Sequence, residues 1–64
     1  MQQLDGSRKF QNGIQVIWNE QKKEKSDFFS FDELVEMQVN AFDLLNNPRN
    51  YRVDPQTRRV ESAV

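Results

Sequence analysis

The chain reads as a small α+β domain: an antiparallel sheet of three to four strands with one amphipathic helix packed on one face, in the order β-β-α-β, with further short hairpin strands. Three observations predict this. Phe10, Asn12, Ile14, Val16 and Trp18 recur at a spacing of two, the mark of a half-buried strand. Ser30-Phe31-Asp32-Glu33 opens a stretch with helical spacing, and polar turn pairs punctuate the rest. At 64 residues the chain makes one domain at most, assigned to residues 8–62 between a flexible N-terminus (1–7) and a C-terminal tail (63–64).

The first strand covers residues 14–20. Asn12-Gly13 suits a two-residue type I′ turn, so residues 8–11 either fold back on 14–17 as a hairpin or simply lead into the strand. Ile17 breaks the alternation and asks for cover on the second face of the sheet. Residues 20–25 carry no apolar side chain and form an exposed connection whose ends can extend the strands on either side. Asp27-Phe28-Phe29 is the second strand, paired antiparallel with the first.

Ser30 and Glu33 form a capping box, with Phe29 and Leu34 placed for a hydrophobic staple. The helix is expected over residues 31–46, ended by Asn46-Asn47-Pro48. At 100° per residue, Phe31, Leu34, Val35, Met37, Ala41, Phe42, Leu44 and Leu45 cover an arc wider than one sheet face buries. Gln38 falls inside that arc. Asp32, Glu36, Asn40, Asp43 and Asn47 make the opposite, polar face. After the helix, Tyr51-Arg52-Val53 resumes a strand, Asp54-Pro55 suits a type I turn, and Arg59-Val60-Glu61 returns either as a further strand or as a tail.

Charge is segregated by sign. Residues 26–48 hold five acids (Asp27, Asp32, Glu33, Glu36 and Asp43) and no base, while all nine Lys and Arg lie outside. Net charge of −1 gives no global attraction to nucleic acid. The absence of Cys fits a reducing cytoplasm, and no window approaches the roughly 20 apolar residues of a membrane span. Without His or Cys the commonest general base, thiol nucleophile and zinc ligands are missing, and neither Gly6 nor Gly13 belongs to a phosphate loop. Asp32, Glu36 and Asp43 form a solvated face without a metal-ligand pattern. No catalytic residue, metal or cofactor is assigned, and no enzyme activity is expected.

The expected function is protein binding, in a regulatory, adaptor or inhibitory role, through Asp32, Glu36, Met37, Asn40, Asp43 and Leu44 on the acidic helix. A different class of partner, single-stranded nucleic acid, would use Arg49, Arg52, Arg58 and Arg59 for phosphates, with Tyr51 and either Phe28 or Trp18 for stacking. A third class is a structural subunit. It would homodimerise through Ile17, Gln38 and the wide helix face, or add a strand to another sheet. In layout alone, the strand pair, acidic capped helix and basic terminal strand resemble small phage-encoded proteins that bind and inhibit host machinery such as RNA polymerase. The resemblance carries over no residue's role.

Overall fold

The alternation around Ile14 does form a strand, and its inward residues set the geometry of everything else. The computed structural model describes all residues, 1–64. In chain order it contains β1 (Gln2–Gln3), β2 (Gly6–Phe10), β3 (Gly13–Glu20), β4 (Lys23–Ser30), α1 (Phe31–Glu36), α2 (Ala41–Asn46), a 3₁₀ turn (Pro48–Asn50), β5 (Tyr51–Asp54) and β6 (Arg59–Ser62). The α+β character holds in this coarse form. The expected single sheet does not: there are two antiparallel three-stranded sheets, ordered β2-β3-β4 and β1-β5-β6.

The two sheets meet where the chain runs from β1 into β2. Leu4 N–H donates to the Tyr51 carbonyl (3.0 Å), and Asp5 N–H donates to that of Ile17 (2.8 Å), so adjacent residues join opposite sheets. Leu4 is fully buried between them, which draws the segment expected to be flexible into the core. Residues 4–5 bracket the point where the backbone changes partner. The segment Met1-Gln2-Gln3-Leu4 gives little signal of this: its two apolar side chains are Met1, which stays exposed, and Leu4.

The β2–β3 hairpin forms with Gln11-Asn12 as its two loop residues and Phe10 opposite Gly13, one position earlier than the Asn-Gly turn chemistry implied. Gly13 serves a different need. A β-carbon there would press on the Phe29 carbonyl and the Phe28 ring, so its lack of side chain lets β4 cross closely. The β3–β4 hairpin turns at Gln21-Lys22, and both have positive φ (53° and 64°), as a type I′ turn requires. The C-terminal hairpin is also present, with Asp54 paired to Arg59 across a loop in which Asp54 accepts from Gln56 N–H.

The helix expected over residues 31–46 is two short helices. The capping box is present: Glu33 N–H donates to Ser30 Oγ (3.1 Å) and Ser30 N–H to Glu33 Oε1 (3.0 Å). Gln38 then enters the left-handed region (φ 58°), while Gln38 N–H donates to Val35 O and Val39 N–H to Leu34 O. These two bonds are a Schellman ending, with Gln where Gly is usual and Val39 and Leu34 as its buried apolar pair. Asn40 restarts the chain as α2 by accepting from Asp43 N–H (3.1 Å). The apolar arc was too wide for one helix because it merges the stripes of two. The break lets Leu34, Val39 and Leu44 all reach one core, with Leu4, Ile14, Val16, Trp18, Phe29, Tyr51, Val53 and Val60.

Candidate protein-binding surface

Helix α1 starts against the β2–β3 turn, since Phe31 N–H donates to the Asn12 carbonyl (3.1 Å). Helix α2 is held to the other side of β2, where Ser7 Oγ donates to the Leu45 carbonyl (3.0 Å). Between these attachments lies an apolar groove of about 340 Å³, walled by Phe31, Ala41, Phe42 and Leu45 over Ile14, with Lys9 and Gln11 at its mouth. Its volume is at the small end of the range for binding pockets. Leu44 points to the core, so the helical period turns Ala41, Phe42 and Leu45 toward the groove.

Phe42 is 76% exposed and Val35 is 73% exposed. Val35 lies one turn past Phe31 on α1 and extends the apolar strip, while Asp32 and then Glu36 follow around the helix. Lys9 lines the groove on the β2 side, and Asp32 is the exposed neighbour of the wall residue Phe31 on the α1 side. Leaving an aromatic side chain of this size in water beside other apolar side chains forfeits burial of roughly 1.5–3 kcal/mol. No helix is long and apolar enough to cross a membrane.

Of the acidic-face candidates, Asp32 and Glu36 are exposed and lack an ion pair. Asn40 is exposed but caps α2. Met37 is half-buried, with its sulfur accepting from Val60 N–H at 3.4 Å. Leu44 is fully buried, so it is core and offers nothing at the surface. Asp43 is committed internally: Tyr51 OH donates to its Oδ2 (2.6 Å) and Asn47 Nδ2 to its Oδ1 (2.9 Å). These bonds, Tyr51 first, hold the Asp43 carboxyl below its ordinary range, and the same contact pushes the Tyr51 phenol up to about 12.

The basic candidates are dispersed. Arg58 Nε donates to Asp27 Oδ2 (3.0 Å), Nη1 to Glu33 Oε2 (3.1 Å) and Nη2 to the Phe28 carbonyl (2.8 Å), while its guanidinium lies 4.8 Å from the Phe29 ring centre. The Ser30 backbone bond, followed by the Arg58 contact, keeps Glu33 below its usual carboxylate value. Arg52 pairs with Glu61 (2.8 Å). Arg49 and Arg59 are exposed, whereas Tyr51 and Trp18 are buried and Phe28 packs edge-on against Phe10 (6.0 Å between centres). Of the residues considered for dimerisation, Ile17 is half-buried on the outer face of β3 and Gln38 is exposed at the joint between the helices. No three carboxylates lie close enough to share a cation.

No known protein family, curated protein or solved structure matches the chain. Of the groove residues, Phe31, Ala41, Phe42 and Leu45 belong to the wide helix face considered for dimerisation, whereas Lys9 was missed by sequence reasoning. The available signal was the excess width of the apolar arc, which contained Phe42 but did not single it out.

Proposed function

We propose that the chain is a small non-catalytic protein-binding module with a regulatory, adaptor or inhibitory role, acting through the apolar groove and the acidic turn of α1 beside it. The carrying observation is Phe42, 76% exposed on the wall of an open apolar groove. Apolar patches of this kind, rimmed by charge, suit protein contacts in which a few aromatic anchors supply most of the affinity. Asp32, next in the chain to the wall residue Phe31, supplies the acidic group beside the groove, whereas Glu36 faces a separate polar cleft with Arg58 and Arg59. The reading retains the charged start of the helix but moves its anchors from Asp43 and Leu44 to Phe42 and Phe31. A reducing, cytoplasmic setting belongs to the same proposal and rests on the lack of Cys.

The single-stranded nucleic-acid reading has less support, because Arg52 and Arg58 spend their charge on internal carboxylates and Tyr51 is buried. The deciding experiment captures binding partners from lysate of the native host, with and without nuclease, using wild type and Phe42→Asp. The expected result is a nuclease-resistant protein, this chain itself included, retained stoichiometrically by wild type and lost with Phe42→Asp. Retention of no protein, or of nucleic acid alone, overturns the reading.

A further inference from the structure

We propose that a second copy of this chain occupies the groove, in a two-fold dimer where each Phe42 enters its partner's cavity. The inference rests on the groove being a protein-binding surface and names its occupant. A two-fold interface is made of one patch meeting itself, so projection and recess must lie side by side on the same surface. Here they do: Phe42 stands on the wall of the cavity of about 340 Å³ that it would fill in the other copy.

The charges on the banks have the same self-complementary layout. Lys9 lines the groove on the β2 side, and Asp32, exposed in the first turn of α1, directly follows the wall residue Phe31. A two-fold axis between the banks brings each Lys9 toward the partner's Asp32. Neither residue has an ion pair within its own chain, so each charge is free for that contact. With a net charge of −1, two copies repel little. A chain of this length buries a smaller share of its surface than larger domains do, and pairing would add Phe42, Phe31 and Val35 to what is buried.

Sedimentation of the pure chain across a concentration series tests this. Wild type should shift from monomer to dimer, while Phe42→Asp remains monomeric with an unchanged melt at low concentration, since its side chain is mostly in water. Lys9→Glu and Asp32→Lys should each weaken self-association roughly tenfold by placing like charges together. Mixing these two single variants should restore it, because a mixed dimer has opposite charges at both contacts. The double variant should recover it alone.

A wild-type chain that stays monomeric up to about 1 mM, the range of very weak association, overturns the proposal. So does a dimer indifferent to Phe42→Asp, or single variants that gain nothing on mixing. A monomeric chain whose Phe42→Asp variant loses capture of a different protein also overturns the second copy as occupant, while leaving the groove a protein-binding surface.

Discussion

Tyr51 and Asp43 are eight positions apart and share the shortest side-chain hydrogen bond in the chain, at 2.6 Å. Its contribution has a definite pH window. Asp43 titrates below its ordinary 3.8 in the fold, so its share of stability is present above that value and is lost as pH falls through the folded one. Tyr51 titrates near 12 instead of 10.0, so its share is present below 10.0 and is lost as pH rises toward 12. The stability difference between wild type and Tyr51→Phe should accordingly be constant from pH 3.8 to 10.0 and shrink beyond either end. A pH-independent difference in melts would sink the assignment. Gly13 makes a second test. Gly13→Ala should destabilise by roughly 1–3 kcal/mol in denaturant titrations, because the added carbon meets backbone of β4 as well as the flexible edge of Phe28.

The helical segment shows how local chemistry competes with periodicity. Ser30 and Glu33 announced the start of α1 because a capping box needs only residues three apart, and that bond pair is present. Asn40 and Asp43 carried a comparable start signal for α2, yet a single period drawn through residues 31–46 hid it. The physical reason for the break is Val39: a continuous helix would place it away from Leu34 and Leu44, whereas the left-handed Gln38 turns it inward to 8% exposure. Gln tolerates that conformation poorly compared with Gly. Gln38→Gly should therefore raise stability by a net of roughly 0.5–1 kcal/mol, after allowing for the greater freedom of Gly in the unfolded chain. A loss of stability would mean that the Gln38 side chain has a role beyond supplying the turn.

Across the molecule, β4 and β6 lie at the outer edges of different sheets, and Arg58 draws them together. It comes from the loop before β6 and reaches Asp27 and Phe28 of β4 and Glu33 of α1, from 25 to 31 positions away. Substituting it should loosen the C-terminal hairpin from the rest. Arg58→Lys cannot reproduce the three-way fork and should lower the melt more than Arg52→Ala, whose exposed pair with Glu61 contributes at most about 1 kcal/mol. Equal effects of the two changes would show that Arg58 is an ordinary surface charge. Hydrogen exchange should show the β5–β6 amides opening more readily in Arg58→Lys.

The strand alternation, the capping box, the β3–β4 hairpin and the acidic stretch all follow from residues within a few positions of one another, whereas the sequence leaves the first and last hairpins as one of two readings each, and the first turn lies one position from the Asn-Gly pair. Backbone sterics and local hydrogen bonding make such features readable along the chain. The sharing of Leu4 and Asp5 between two sheets, the burial of Leu44, the ties of Asp43 and Arg58, and the groove beneath Phe42 are different. Each depends on which distant segments meet. Close packing gathers Leu34, Val39 and Leu44 into one core with residues of both sheets, and Phe42 remains outside it.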